Sequence, residues 1–398
     1  MPTGPSTSII IPVHNGAEML RRCLAALRQH APENSEIIVV DDCSNDSSVD
    51  VVLQSGFRLV RAEEQGGPAA ARNLGAQAAE GDILIFLDAD VCVHDDTFDV
   101  LLAPFADETV AAVFGSYDAN PDAPYLVSRF RNLLHHYVHQ TASAEGKTFW
   151  TGCGAVRRDL FLQIGGFDSS FRSPAIEDIE LGMRLSSSGL RIVLNKRAQV
   201  MHLKRWTLVS MCTTDVWRRG VPWTRLILRD RRMPNDLNLK PSQRLSVILT
   251  FLMLMLFGIG AWVEPRVMVI PLLTVAAIQV LDMIKPGSRQ ILARMASGLL
   301  VGGSCLWAAL QLPSAFALGF AGVLGIWLAN AGFYRFLSRS EGRSFALAVF
   351  PVHVLFFVTC GLAFCIAAAG HFSSAVWSFR SRPRMTPSAP ALTKHEAL

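Results

Sequence analysis

The chain has 398 residues, 51% of them hydrophobic and only 18% charged, with a formal net charge of +4. A soluble domain carries about a quarter charged residues, so part of this chain meets a solvent other than water. The mild, scattered positive charge excludes a nucleic-acid surface and favours a membrane surface. The eight cysteines, Cys23, Cys43, Cys92, Cys153, Cys212, Cys305, Cys360 and Cys365, have no zinc-finger spacing, and several sit in apolar runs. They imply a reducing compartment without a disulfide framework.

In chain order, residues 1–8 are Pro- and Thr-rich, and the following Ile9-Ile10-Ile11 is too short for the apolar region of a signal peptide. Residues 9–13 read as a strand, 19–29 as a helix, 36–40 as a second strand and 68–79 as an Ala-rich helix. Residues 83–87, Ile-Leu-Ile-Phe-Leu, are a continuous apolar run, as expected of a strand buried on both faces. Strands alternating with helices predict an α/β domain with a mostly parallel, Rossmann-like sheet, whose ligands bind at the carboxyl ends of the strands. Residues 125–140 read as a helix carrying His135, His136 and His139. The one-turn spacing of His135 and His139 suits a metal, but no Glu completes a zinc-protease pattern, and a stretch facing an acceptor or headgroups fits better.

Residues 206–230 mix Trp206, Trp217 and Trp223 with Arg218, Arg219, Arg225 and Arg229. Trp with Arg marks an interfacial helix in the headgroup plane; the alternative is an amphipathic helix packed on the domain. Apolar runs follow at 245–263, 267–280, 296–312, 316–333 and 345–369. A spanning helix needs about 20 apolar residues, and the second run is short and ends at Asp282, so four or five spans are expected. Asp282 and Glu264, at span ends, read as interfacial.

Arg and Lys in short loops set orientation. Arg225, Arg229, Arg231, Arg232, Lys240 and Arg244 before the first span place the N-terminal domain in the cytoplasm, and the bacterial inner membrane is the expected location. Lys285, Arg289 and Arg294, then Arg335, Arg339 and Arg343, place two later loops on the same side. Five spans leave the tail outside although it carries Arg380, Arg382 and Arg384; a re-entrant or in-plane segment would resolve that conflict. The expected organisation is a catalytic domain at 1–205, an amphipathic interfacial segment at 206–244, an α-helical transmembrane domain at 245–372 and a Pro/Ser-rich disordered tail at 373–398.

Two acidic pairs end predicted strands. Asp88-Ala89-Asp90 follows the strand at 83–87, and Asp41-Asp42 follows the one at 36–40. Burying carboxylates there is costly without a cation, and hard oxygen ligands suit a divalent ion that neutralises a diphosphate leaving group. Ser44, Asp46 or Ser47 can cap the next helix, which leaves Asp41 and Asp42 for a ligand. Glu177-Asp178 reads either as a helix N-terminus rich in acid or as a pair whose mutual repulsion raises a carboxyl pKa toward that of a general base.

Taken together, Ile9-Ile10-Ile11-Pro12-Val13-His14-Asn15, Val39-Val40-Asp41-Asp42-Cys43-Ser44, the stretch 66–75, Leu87-Asp88-Ala89-Asp90, the stretch 152–158, Gly165-Gly166-Phe167-Asp168 and the stretch 176–181 resemble the family 2 glycosyltransferases of the GT-A fold. The resemblance covers roughly the first 205 residues in family order. It implies an inverting hexosyltransferase with a nucleotide-sugar donor, uracil as the base, and Mg²⁺ or Mn²⁺ as cofactor.

The resemblance also implies roles. Pro12, Asn15, Asp41 and Asp42 line the nucleobase and ribose pocket, and Arg72 and Asn73 lie near the ribose and diphosphate. Asp90 ligates the metal, with Asp88 helping at the metal, sugar or ribose and His202 as a further ligand. Asp178, paired with Glu177, takes the acceptor proton. With the apolar C-terminal half, the expected acceptor is a membrane lipid or lipid-linked glycan. Processive synthases of this family carry Gln-x-x-Arg-Trp where this chain has His202-Leu203-Lys204-Arg205-Trp206, which disfavours a polymer-exporting enzyme. A non-catalytic scaffold is disfavoured by intact Asp88, Asp90 and Asp178. A nucleotidyltransferase is disfavoured by the lack of a Gly-rich phosphate loop at residues 12–16.

Overall fold

The structure is a computed structural model and describes residues 5–233, 235, 237–263 and 314–372. Its N-terminal half opens with β1 (Thr7–Val13), α1 (Ala17–His30), β2 (Ser35–Asp41), α2 (Ser48–Ser55), β3 (Arg58–Arg61), α3 (Gly67–Ala78) and β4 (Ile83–Leu87). Strand residues alternate between faces, and β1 shows what each face meets. Ile9 and Ile11 enter a core with Leu20, Cys23 and Leu27 of α1, whereas Ile10 enters a second core with Ala69, Ala71 and Ala76 of α3. With both faces covered, every residue of β4 is buried, as its unbroken apolar run predicts. The α3 helix is Ala-rich because it lies close on the sheet.

The next elements are β5 (Val91–Val93), α4 (Thr97–Leu102), β6 (Val110–Tyr117), α5 (Leu126–Gln140), β7 (Glu145–Gly146), β8 (Cys153–Arg157), α6 (Arg158–Gln163), α7 (Glu177–Ser187) and β9 (Arg191–His202). The sheet order is β3-β2-β1-β4-β8-β6-β9-β5, with β7 also on β9. The block β3-β2-β1-β4 is parallel. The second block is mixed, since β8 runs antiparallel to β4 and β6, and β5 antiparallel to β9. The α/β domain with a parallel half-sheet is therefore as expected, and the antiparallel strands are an addition.

Residues 206–230 do not form one helix. They form α8 (Leu208–Thr213), a π-helical turn (Thr214–Gly220) and α9 (Val221–Asp230). This segment packs on both halves of the molecule: Leu226 and Trp223 meet Ile176 and Met183, while Val216 and Val221 meet Ala363 and Ala367. Trp217 is 60% exposed.

Then come α10 (Pro241–Val263), α11 (Ser314–Ala329), α12 (Ala331–Ser340) and α13 (Arg343–Phe372). Pro241–Gly260 and Arg343–His371 are each long and apolar enough to cross a membrane. The expected span at 316–333 is instead broken: Ala317–Ala329 and Ala331–Ser340 meet at 67°. Asn330 sits at the break, buried, and donates to Ser246 Oγ and the Ile326 carbonyl while accepting from Gln243 Nε2. The expected runs at 267–280 and 296–312, Glu264, Asp282 and the tail at 373–398 lie outside the described residues.

A third core crosses from one half to the other. Phe130, Leu133 and Leu134 of α5 pack with Phe333, Leu337 and Phe357 of the C-terminal helices. Polar ties flank it. Arg129 pairs with Glu341, Arg131 with Asp215, and Lys240 donates to the Thr141 carbonyl at 2.7 Å.

Candidate functional site

The site lies at the carboxyl end of the sheet. The β4 strand delivers Asp88, and the turn after it delivers Asp90. His202 stands 112 positions further on in sequence, and the ladder explains how it reaches them: β5 pairs with β9 so that Val91 opposes His202, and the Leu203 N–H donates to the Asp90 carbonyl at 2.8 Å. His202 Nε2 is thereby held 3.6 Å from Asp90 Oδ2. Burial pushes the Asp90 carboxyl up, but the hydrogen bond and charge of His202 and the charge of Lys204 outweigh it and hold Asp90 below its ordinary value. Asp90 Oδ1 is buried without a partner.

Asp88 is handled differently. Arg72, 4% exposed on α3, bridges it and Glu177: Nη2 donates to Asp88 Oδ1 at 2.7 Å and Nη1 to Glu177 Oε1 at 2.8 Å. Burial raises the Asp88 carboxyl, partly countered by Arg72, and the nearby Asp90 raises it further. Arg72 therefore acts on carboxylates of its own chain. Glu177 is fully engaged as well, since its Oε2 accepts from the Ala175 N–H at 2.9 Å.

Asp178 is the member of its pair that faces outward with a perturbed proton. Burial, and next the negative charge of Glu177, push its carboxyl up to about 7, with Arg72 opposing. It accepts from the Ile179 N–H at 2.8 Å and from the Thr151 N–H at 3.4 Å. Helix α7 can approach the 148–151 segment this closely only because residue 182 is glycine; a Cβ there would collide with the backbone of Thr148 and Phe149. Both acids lie in the first turn of α7, and Asp178 is the one of the two whose carboxyl is raised.

Three residues expected at the donor pocket make hydrogen bonds within the chain. Both Asp42 oxygens accept backbone N–H groups, Gly66 at 2.8 Å and Gly67 at 2.9 Å, so Asp42 shapes the loop into α3. Asn73 donates to the Phe167 carbonyl and accepts from the Phe167 N–H, which fixes the loop holding Gly165-Gly166-Phe167-Asp168. Asn15 is likewise engaged by the N–H groups of Asn45 and Asp46 and ties the loop after β1 to the loop after β2. Pro12 sits in β1 opposite Val40. Asp41 keeps an available atom: Oδ1 accepts from Ser44, while Oδ2 is buried without a hydrogen-bond partner, 3.7 Å from the exposed Arg61.

Sequence reasoning missed the aromatic floor. Tyr117, at the carboxyl end of β6, stacks on His202 with ring centroids 4.1 Å apart, and Trp150 meets Tyr117 edge-on at 4.9 Å. Its position at a strand's carboxyl end was the available signal. The α5 histidines belong to this packing. His139 Nδ1 contacts the Gly115 carbonyl and His136 Nδ1 the Tyr117 carbonyl. His135 lies between Tyr117 and Trp150, and burial pushes it well below its ordinary value, so its ring is neutral. Among the described residues no group of three or more His, Cys, Asp or Glu is set to hold a metal. A cation here would need ligands from a substrate.

Residues 8–165 match the model of the glycosyl transferase family 2 domain. The chain is similar to the pre-mycofactocin glycosyltransferase of Mycobacterium tuberculosis, 32% identical over 226 residues covering 52% of this chain and 45% of that protein. It is also similar to the validoxylamine A glucosyltransferase of Streptomyces hygroscopicus subsp. limoneus, 30% identical over 229 residues, 49% of this chain and 51% of that one. The chain spans about half the length of these curated relatives. Among solved structures, the mannosyltransferase PcManGT from Pyrobaculum calidifontis in complex with GDP-Man and Mn²⁺ aligns over 92% of this chain and 88% of its own, with a TM-score of 0.52 and 16% identity. That likeness shows the fold, which is of the GT-A type.

Proposed function

We propose that this chain, which carries a glycosyl transferase family 2 domain at residues 8–165, is a membrane-anchored, inverting glycosyltransferase. It moves a hexose from a nucleotide sugar with a uracil base to the hydroxyl of a membrane lipid or lipid-linked glycan. The observation that carries the reading is the combination of Asp178, a half-buried carboxyl pushed up to about 7, with Asp90, a half-buried carboxylate that has one buried, unpartnered oxygen. One is tuned to exchange a proton near neutral pH; the other awaits a positive partner.

The residues present fit a divalent cation, Mg²⁺ or Mn²⁺. Asp90 Oδ1 is the orphaned hard-oxygen donor, His202 stands beside the same carboxylate, and Asp88 keeps the oxygen that Arg72 does not engage. Such ions bind through one or two carboxylates plus substrate phosphates, which agrees with the lack of a closed protein cage. The ion would neutralise the charge that develops on the departing diphosphate. Asp41 Oδ2 is placed to accept from the nucleoside. Arg72 holds Asp88 and Glu177 in fixed orientation, and the Thr151 and Ile179 N–H groups orient Asp178. The Asp178 carboxylate takes the proton of the acceptor hydroxyl as that oxygen bonds to the anomeric carbon. The bond from that carbon to the diphosphate oxygen breaks on the opposite face, so the configuration inverts and the electron pair leaves with the diphosphate.

Membrane anchoring is supported by the two helices able to span and by outward-facing apolar residues such as Ile248, Met255 and Leu362, each largely exposed on those helices. The cytoplasmic placement of the catalytic domain rests on the basic residues before α10.

The test uses the full chain, purified in detergent, with a panel of nucleotide sugars, total membrane lipid and Mn²⁺. Metal-dependent release of one nucleotide with a new glycolipid is expected. EDTA should abolish it reversibly, and Asp90→Ala should lower the rate by at least about a hundredfold. Donor turnover unchanged by both treatments would overturn the reading.

A further inference from the structure

A groove of about 430 Å³ lies between the C-terminal end of α7, the residue that follows β7 and the stretch leading into α10. Ser186 and Ser187, Lys147, Arg232 and Asn235 supply its polar lining, and Met183 and Met233 its apolar part. Among the described residues no carboxylate lines it. The polar groups are engaged in one direction. Ser187 Oγ accepts from Arg232 Nη1 at 2.8 Å, which leaves the Ser187 hydroxyl proton to donate. Asn235 Oδ1 accepts from Arg244, which leaves the Asn235 amide to donate. Lys147 pairs with Glu145 at 2.7 Å, but both side chains are more than half exposed, and such a pair holds an ammonium only weakly. The lining therefore offers hydrogen-bond donors and positive charge.

Contacts tie this groove to the start of a membrane helix. Arg244 of α10 reaches back to Asn235 of the lining, and its Nε donates to the Leu239 carbonyl at 2.9 Å. From the next residue onward the outward face of α10 is apolar, with Leu245, Ile248 and Leu252 exposed. The groove thus lies beside the first turns of a helix long and apolar enough to cross a membrane, where headgroups meet water. Basic side chains next to a span attract anionic lipid. A guanidinium flanked by hydroxyl and amide donors suits the oxygens of a phosphodiester, and Met183 and Met233 offer adaptable apolar surface to the glycerol beneath it. A zwitterionic headgroup gains less, because its ammonium group meets no carboxylate in the lining.

We infer that this groove binds the phosphate headgroup of an anionic glycerophospholipid and thereby docks the catalytic half on the membrane surface. The groove and the proposed base share one helix. Asp178 in the first turn of α7 and Ser186 in its last lie roughly 12 Å apart along the axis, at about 1.5 Å per residue. A headgroup held at one end fixes the height of the carboxyl at the other. The inference rests on the reading of α10 as a membrane span and is independent of the identity of the acceptor.

Native mass spectrometry of the detergent-purified full chain, titrated with phosphatidylglycerol or phosphatidylcholine, tests it. The groove variant carries Lys147→Gln with Arg232→Gln, and the control variant Arg335→Gln with Arg339→Gln on α12. All four side chains are exposed, so the thermal midpoints should match wild type. Wild type should bind phosphatidylglycerol at least about tenfold more tightly than phosphatidylcholine. The groove variant should lose that preference, the control variant should keep it within about twofold, and Arg232→Lys alone should retain most of it. A groove variant that binds like wild type, or an equal loss in both variants, overturns the inference and leaves the membrane reading standing. Inorganic phosphate should bind at least about tenfold more weakly than the lipid; equal affinity would assign the groove to a free anion and also overturn it. A full chain that stays monodisperse without detergent would sink the membrane reading, and this inference would fall with it.

Discussion

At the scale of single residues, the pair Glu177-Asp178 shows how one charge can be fixed and its neighbour tuned. Arg72 and the Ala175 N–H occupy Glu177, and the fixed negative charge that results joins burial in raising Asp178 to about 7. A base must be ionised to work, so kcat/KM should rise with pH through about 7. Asp178→Asn should lower kcat by about a thousandfold and remove that limb of the profile. Retained activity would sink the base assignment. Stability moves the other way. The folded pKa lies above the ordinary 3.8, so the folded chain holds this proton to higher pH than the unfolded chain. The stabilisation is complete below about pH 4 and is lost as pH rises through about 7. Asp178→Asn should therefore unfold at a higher temperature than wild type at pH 8, by the equivalent of about 2 kcal/mol, and match it near pH 4. Thermal unfolding at the two pH values checks this.

The same residues mark how far the sequence could be read. Asp88 and Asp90 stand out because acids ending an apolar strand have few structural reasons to be there, whereas acids are favoured at a helix N-terminus and Asp178 stands out through the family resemblance. Asp42 and Asn73 look equivalent on paper, yet their oxygens meet backbone N–H groups of Gly66, Gly67 and Phe167. Only the folded loop shows that those groups need partners.

At the scale of elements, β1, β2, β4, α1, α3 and α5 were legible, the strands because each is a short apolar run closed by a charged or Gly-bearing turn. The ladder joining β5 to β9 was not, since pairing Val91 with His202 leaves no local mark, and with it went the position of His202. The break at Asn330 was hidden for a different reason. One polar residue in an apolar run hardly alters hydropathy, but buried among Gln243, Ser246 and the Ile326 carbonyl it fixes the 67° turn between α11 and α12. Asn330→Leu would leave Gln243 and Ser246 without that partner in an apolar setting, at a cost of about 1–2 kcal/mol. A lowered thermal midpoint in detergent is expected. An unchanged midpoint would show that packing alone holds the bend.

At the scale of the whole molecule, composition divides the chain at about residue 205, and the family match ends earlier still, at 165. Packing does not follow either line. The apolar side of α5, with Phe130, Leu133, Leu134 and Val138 buried, is covered by helices that begin more than 190 residues later. The ion pairs of Arg129 with Glu341 and Arg131 with Asp215 cross the same seam. Opening the seam would part Arg131 from Asp215 but would also return it to water, so the cost lies with the apolar side chains. Burying the four side chains contributes about 1.5–3 kcal/mol each, together comparable with the net stability margin of an ordinary domain, about 5–15 kcal/mol. A chain ending at Arg205 is therefore expected to aggregate, or to stay dispersed only in detergent, although it contains the whole sheet and every residue of the proposed metal and base sites. Size-exclusion chromatography without detergent reads the outcome. A monodisperse monomer that binds UDP would show that the catalytic half folds independently and that α5 tolerates water. Aggregation, with recovery when the helices from α8 onward are restored, would show that the C-terminal helices complete the fold of the N-terminal half.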